Sequence, residues 1–258
     1  MPYLPFIDDP EHIRALEGQR FVVLRPAAAI TAIHRQVQEV LRHRLSVFPV
    51  SYPARAHVTL TGFSAGTALE VVQQLVQSWA RGVPALRIEV ARLGVFPTPF
   101  QTVVVQVRRT SELFRALVSL RERARDQRLA ISTPIPPAGW IFHMSLAYFA
   151  GLSVPVWNEL TEFIQDLELP LTHCMVTEAE VVAFDEGREC SGGVYPLQTE
   201  TTAGPGRRIP TSREIGNIEA FERSLRRVWA LGHLERQDRR AYPSAQRSSF
   251  KRRCRLST

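Results

Sequence analysis

Apolar and polar residues alternate between two periods from about residue 21 to 185, and this switching predicts strands that are followed by helices. The first half consists of "RFVVLRP" as a strand, "AAITAIHRQVQEVLRHRL" as a helix, "HVTLTGF" as a strand, "TALEVVQQLVQSWARG" as a helix and "ALRIEVARLGVF" as a strand. The second half repeats the order with "QTVVVQV", "SELFRALVSLRERARDQ", "HMSLAYF", "VPVWNELTEFIQDL" and "HCMVTEAEVVAFD", and Ser111 is the expected N-cap of its first helix. The matching order suggests an old duplication.

The pattern pauses at "FPTPF" and then restarts, which predicts two lobes at about 21–95 and 102–185 within one domain over 1–200. Strands that alternate with helices favour an α/β or α+β sandwich, with a sheet on one side and helices on the other. Two such lobes that face each other would enclose a groove. The alternative is one continuous doubly wound sheet.

The charge is distributed unevenly along the chain. The 258 residues carry a net charge of +7, but from Pro205 onward there are 14 Lys and Arg against 5 Asp and Glu, which leaves residues 1–204 slightly acidic. We therefore expect residues 201–258 to form a basic tail with one helix at about 213–231 and a disordered C-terminus. The tail arginines could hold RNA nonspecifically, or they could be an unselected extension.

Several protein classes are excluded by composition. No run approaches the roughly 18 apolar residues of a membrane span, and acidic residues stand where a signal peptide would be basic, so we expect a cytoplasmic protein with no membrane partner. The three cysteines lack the spacing of a disulfide framework or a zinc site, and no cluster has the ligands that a metal phosphoesterase would need. We expect reduced thiols, no metal, no other cofactor and a monomer.

Two short motifs carry the candidate chemistry. His57 and Thr59 in "HVTL" have the same strand parity, and so do His143 and Ser145 in "HMSL". Because side chains alternate between the faces of a strand, each motif directs an imidazole and a hydroxyl to one surface and buries two apolar residues behind them. Both motifs follow proline-rich loops at equivalent places in the repeat, which favours one shared site over two unrelated structural histidines.

Two imidazoles across a cleft suit an in-line displacement at phosphorus. One takes a proton from the attacking oxygen while the other gives a proton to the leaving oxygen, and the hydroxyls donate hydrogen bonds to phosphate oxygens. A 2′,3′-cyclic phosphate fits such a pair because its strained ring opens without a metal. The motifs leave open which histidine is the acid and which is the base.

At these residues the chain resembles the 2H phosphoesterase superfamily, which includes cyclic nucleotide phosphodiesterases and the 2′-5′ RNA ligase family. The resemblance implies a bilobal α+β fold in which two antiparallel sheets face a central cleft and helices lie on the outside. It also implies catalytic roles for His57 and His143, with Thr59 and Ser145 as phosphate-binding partners. The implied activity is metal-independent hydrolysis of cyclic phosphates at RNA ends or nucleotides in RNA processing, with reversible 2′-5′ RNA ligation as a further expectation.

Three neighbouring residues are weaker candidates for substrate binding. Phe63 has the parity of His57 and could stack on a base, although core packing is its alternative role. Tyr148 faces the site only if its strand bends, and Arg55 could meet a phosphate or remain solvated. The other function class left open is a noncatalytic RNA-binding module that uses the same cleft and the basic tail. An ADP-ribose cyclic phosphate is a further possible substrate.

Overall fold

A computed structural model describes residues 16–45, 50–97, 101–132, 135–149, 151–170, 172–186 and 188–198. The predicted basic tail over 201–258, with its helix at about 213–231 and its disordered end, lies outside the described residues.

The described residues form four helices and nine strands. The helices are α1 (Ala28–Arg44), α2 (Leu69–Ala80), α3 (Ser111–Asp126) and α4 (Val154–Gln165). The strands are β1 (Arg20–Leu24), β2 (Val50–Ser51), β3 (Val58–Phe63), β4 (Leu86–Phe96), β5 (Gln101–Val107), β6 (His143–Phe149), β7 (His173–Val176), β8 (Glu178–Asp185) and β9 (Arg188–Pro196). No helix in this part of the chain combines the length and the apolar character that a bilayer crossing requires.

The strands form two sheets. The first sheet has the order β3-β1-β8-β9, the second has the order β2-β6-β5-β4-β7, and the strands pair antiparallel in both. This confirms the predicted α+β architecture with two antiparallel sheets. The alternative of one doubly wound parallel sheet is wrong.

The strands that close the two halves cross between the sheets. β4 comes from the first half but pairs with β5 of the second half, and β8 pairs with β1. The segment over residues 173–185, expected as one closing strand, is two strands separated at Thr177, with β7 in the second sheet and β8 in the first. Each half of the sequence therefore supplies strands to both sheets.

Helix α3 begins one residue earlier than its sequence suggests. Thr110, not Ser111, is the N-cap: its backbone is extended, and its side chain accepts a hydrogen bond from the Leu113 N–H at 3.2 Å. Ser111 is already helical, and its hydroxyl donates to Glu112. The side-chain oxygen that satisfies the free N–H group at this helix end therefore belongs to threonine.

Candidate active site

Both motif strands contain a β-bulge at the motif leucine. In the pairing of β3 with β1, Thr59 and Thr61 have partner residues but Leu60 between them is skipped. In the pairing of β6 with β5, Leu146 is skipped in the same way. A bulge inserts one extra residue and reverses the alternation of side chains beyond it. The two motifs are therefore matched in backbone geometry as well as in sequence, which strengthens the argument for duplication.

Buried polar groups of helix α1 support the bulge of β6. His34 bonds through Nε2 to the Ser145 carbonyl at 2.8 Å, and Gln38 donates to the Leu146 carbonyl at 3.0 Å and to the Pro53 carbonyl at 2.9 Å. A bulge interrupts the ladder, so its carbonyls need other partners when they are buried. The polar residues on the inner face of α1 thus hold the strand that carries His143.

The bulge brings Tyr148 into the site. His143, Ser145 and Tyr148 are partly exposed, whereas the residues between them are buried. The Tyr148 side chain is hydrogen bonded to that of Ser145, and burial, followed by the nearby Glu189 charge, raises its pKa to about 12. Tyr148 also packs against the apolar cluster of Val23 and its neighbours in the first sheet, so its ring spans the space between the sheets.

The same change of parity removes Phe63 from the site. Strand parity predicts Phe63 on the face of His57, but the bulge at Leu60 turns it to the opposite side, where it is fully buried. Its role is therefore core packing. Arg55 lies at the rim with its side chain 42% exposed, and its Nη1 is 3.6 Å from Glu180 Oε1.

His143 lies in an aromatic and backbone environment. Its Nδ1 is 2.9 Å from the Ile141 carbonyl, so this nitrogen carries the proton and Nε2 remains for chemistry. The Phe96 ring meets the imidazole edge to face, with centroids 4.8 Å apart. Burial lowers the pKa of His143, and the bond to Ile141 acts in the opposite direction.

His57 lies beside a network of charges. Arg25 forms ion pairs with Glu180, at 2.6 Å, and with Glu189, and its Nη1 lies 3.2 Å from His57 Nδ1. The same ring nitrogen is 3.5 Å from Glu189 Oε2. His57 is also hydrogen bonded to the backbone of Arg55, two residues earlier, as His143 is to Ile141.

The charge of His143 reaches His57. Burial, then the charges of Arg25, His143 and His34, lower the pKa of His57 from its ordinary 6.5 to about 3, while the hydrogen bond to Arg55 raises it. The segment before β6 is also linked to β3, because the Trp140 indole N–H donates a hydrogen bond to the Thr59 carbonyl at 3.2 Å. The structure thus places His143 within electrostatic reach of His57 and leaves His57 neutral at physiological pH.

The charged partners of His57 were missed by the sequence reasoning. Burial alone would raise the pKa of Glu180, but hydrogen bonds from Arg25 and Ser191, with the charges of Arg25 and Arg55, lower it overall. Glu180 occupies an inward position between apolar neighbours in "EAEVVAFD", and that placement of a carboxylate was an available signal. Glu189 lies on β9, whose sequence "RECSGGVYP" lacks a regular alternation.

The described residues contain no group of three or more His, Cys, Asp and Glu side chains arranged to hold a metal ion. The acidic residues near His57 are instead paired with Arg25.

The comparisons with known proteins agree with this geometry. The model of the 2′-5′ RNA ligase superfamily matches residues 26–188. The crystal structure of TT0787 of Thermus thermophilus has a TM-score of 0.54 at 15% identity, covering 70% of this chain and 99% of that chain. The likeness to the TT0787 structure supports the fold.

Two further solved structures are similar to the chain. E. coli LigT complexed with 3′-AMP has a TM-score of 0.48 at 16% identity, covering 69% of this chain and 97% of that chain. Kluyveromyces marxianus Usb1 has a TM-score of 0.46 at 10% identity, covering 70% of this chain and 99% of that chain. No curated protein matches the sequence at a significant level.

Proposed function

The chain belongs to the 2′-5′ RNA ligase superfamily, and from this premise we propose that it is a phosphodiesterase that opens 2′,3′-cyclic phosphates of RNA ends or nucleotides. His57 and His143 act as its acid/base pair, and no metal or other cofactor takes part. The observation that supports the proposal is that the two imidazoles lie on strands with matching bulges and that the charge of His143 reaches His57 and lowers its pKa.

The surroundings of the histidines suggest their roles in hydrolysis. His57 is the base, because burial and the Arg25 guanidinium keep its ring neutral and able to take a proton from the attacking water. His143 is the acid: the negative charge of a bound phosphate raises its pKa, and its Nε2 then donates a proton to the leaving ribose oxygen. In ligation a 5′-hydroxyl attacks the cyclic phosphate in place of water, so His57 again takes its proton and His143 again protonates the leaving ribose oxygen. The two roles exchange only when the ribose hydroxyl attacks the phosphate to re-form the ring and the water or 5′-hydroxyl leaves.

Hydroxyl groups of both sheets hold the phosphate in this proposal. Thr59 and Ser145 follow their histidines by two positions and have the same parity. Tyr148, hydrogen bonded to Ser145, stays protonated because its pKa is about 12, so it is a donor throughout the neutral range. Arg55 at the rim supplies a positive charge to an approaching anion.

A substrate panel tests the proposal. RNA oligonucleotides with 2′,3′-cyclic ends, cyclic mononucleotides and an ADP-ribose cyclic phosphate are incubated with the full chain, with and without EDTA, and the products are identified as 2′- or 3′-phosphates. We expect hydrolysis that EDTA does not diminish and a bell-shaped pH dependence. Turnover that disappears in EDTA and returns with a metal would refute the mechanism, and RNA binding without turnover would favour the noncatalytic module.

The cytoplasmic location, the monomeric state and the binding role of the tail over 201–258 stay predictions.

A further inference from the structure

A second cavity lies outside the cleft, between helix α3 and the chain that follows it. Its volume is about 550 Å³. One wall is cationic and consists of Arg121, Arg125 and Arg128, with Glu122 among them. The facing wall is apolar and includes Ile135, which is 45% exposed, together with prolines 136 and 137. A cavity of this composition fits an anion that also has an apolar surface.

Arg121 is buried in the wall of this cavity with unused hydrogen-bond donors. Only 8% of the residue is exposed. Its Nη1 donates to the Ile135 carbonyl at 2.5 Å, and the guanidinium lies over the Trp140 ring at 4.4 Å. Its Nε and Nη2 are buried and have no hydrogen-bond partner in the described part of the chain. A buried guanidinium with unsatisfied donors costs stability, so its presence requires an explanation.

The equivalent helix of the other half shows what packing alone requires. Gln38 and Arg121 are each the eleventh residue of their helices, α1 and α3. Each donates to a carbonyl of a proline-rich loop, Gln38 to Pro53 and Arg121 to Ile135. The amide of Gln38 uses its remaining donor on Leu146, whereas Arg121 has two nitrogens left over. A neutral amide would therefore serve the structural contact, and the guanidinium brings donors and a charge beyond it.

Arg128 adds backbone strain at the mouth of the same cavity. It has a φ of 56°, in the left-handed region where glycine is favoured and arginine is uncommon. Its side chain is exposed and lines the cavity. Arg128 directly follows the C-cap of α3, and the left-handed turn there places its charge at the cavity.

We propose that this cavity binds a nucleoside phosphate at a site separate from the cleft. The phosphate accepts hydrogen bonds from Nε and Nη2 of Arg121, which are buried in the free protein and turn toward the cavity on binding, and Arg128 supplies further charge. The base lies against the apolar wall at Ile135. Occupancy is coupled to the cleft, since Arg121 stacks on Trp140 and Trp140 bonds to the carbonyl of Thr59. The site depends on this wall and not on the catalytic proposal.

Calorimetric titration with AMP tests the site in three variants. Arg121→Met keeps the side-chain volume and removes the unsatisfied donors, so we expect an equal or higher melting temperature and AMP binding at the site weakened at least about tenfold. Arg128→Gly suits the backbone and is expected to fold normally while also weakening binding. Arg115→Met is the matched control, because Arg115 lies on α3 but is exposed and paired with Glu112.

Photolabelling with 8-azido-AMP locates the bound nucleotide. We expect label between Arg128 and Trp140, reduced in Arg121→Met and retained when His57 and His143 are both replaced by alanine. That last measurement separates this site from the proposed catalysis. Label confined to β3 and β6, with the same affinity of Arg121→Met, Arg128→Gly and the wild type for both AMP and a uridine hexanucleotide, would overturn the proposal.

A uridine hexanucleotide distinguishes the two sources of the ligand. If Arg121→Met weakens the binding of AMP, the site accepts a free mononucleotide. If it weakens only the hexanucleotide, the site holds a nucleotide within an RNA strand whose end reaches the cleft. Equal binding of both probes to the variant and the wild type contradicts a nucleoside phosphate site.

Discussion

The two halves of the cleft have the same backbone but surround their histidines differently. Both motif strands bulge at the motif leucine, and both imidazoles are hydrogen bonded to the backbone two residues earlier. His57, however, lies beside Arg25 and Glu189, whereas His143 packs against the ring of Phe96. The matching strands therefore explain the position of the two imidazoles, and the neighbouring strands explain their difference.

This difference teaches that protonation is controlled from outside the motifs. The partners of His57 lie after β1 and on β8 and β9, and the ring beside His143 lies at the end of β4. Because β4 and β8 are the strands that cross between the sheets, the groups that contact each histidine come from both sequence halves. The charged surroundings of His57 suit the proposed base, which must stay neutral. The aromatic surroundings of His143 suit the proposed acid and a stacked nucleobase.

The largest effect is expected from removing either histidine. His57→Ala and His143→Ala should each reduce kcat/KM for a 2′,3′-cyclic nucleotide by about 100- to 10,000-fold, because each removes one proton-transfer partner. The double variant should be little worse than either single variant, since the pair acts as a unit. His173→Ala is the matched control on β7, at the far edge of the second sheet. A near-normal rate in either single variant would contradict the two-histidine mechanism.

Arg25→Met removes the cation at the centre of the charged network beside His57. The variant leaves the buried carboxylate of Glu189 without Arg25 and leaves Glu180 with only the more exposed Arg55, which should lower the free energy of unfolding by about 3 kcal/mol. Arg87→Met, at the more exposed pair with Glu89, should cost less than about 1 kcal/mol. Urea denaturation measures both changes, and equal costs would show that the network at Arg25 is not special.

The same variant shifts the pH dependence of catalysis. The Arg25 charge is one of the causes that lower the pKa of His57, so removing it beside the Glu189 carboxylate raises that pKa. A base works only when deprotonated, and the acidic limb of kcat/KM should therefore move to higher pH. Arg25→Lys keeps the charge and should leave the limb nearly in place. A limb that moves to lower pH in Arg25→Met would assign the base to another residue.

The parts of this structure that the sequence predicts correctly are those with local periodicity. Strand and helix order and the faces of His57 and His143 follow from regular alternation, whereas the two antiparallel sheets were implied by the resemblance to the 2H phosphoesterase superfamily. The predicted strand face of Phe63 was wrong, and the predicted orientation of Tyr148 depended on a bend in its strand. Leu60 and Leu146 are ordinary apolar residues, so nothing in their identity predicts a bulge. Glu189 was missed because β9 has no alternation to reveal it.

A smaller effect should follow from removing the support of the β6 bulge. Gln38→Leu leaves the carbonyls of Pro53 and Leu146 without their buried donor, which should lower the free energy of unfolding by about 2 kcal/mol. The equivalent change on α3, Arg121→Met, removes one used donor and two unused ones, so it should cost less or stabilise the fold. Thermal denaturation compares the pair, and a larger cost for Arg121→Met would show that the two helices are not equivalent in this respect.

The smallest effect is expected in the aromatic half. Phe96 is partly exposed and touches His143 edge to face, so its free ring surface is available to a nucleobase whose phosphate lies between the histidines. Phe96→Leu keeps the apolar volume but loses the flat ring, and stacking is worth roughly 1–3 kcal/mol per base, so KM for a cyclic nucleotide should rise about tenfold with little change in kcat. Phe114→Leu, on α3 beneath Arg109, is a matched control. If Phe96→Leu lowers kcat and leaves KM unchanged, the ring orients His143 instead of holding the base, and the two halves differ in how they position their imidazoles and not in what they bind.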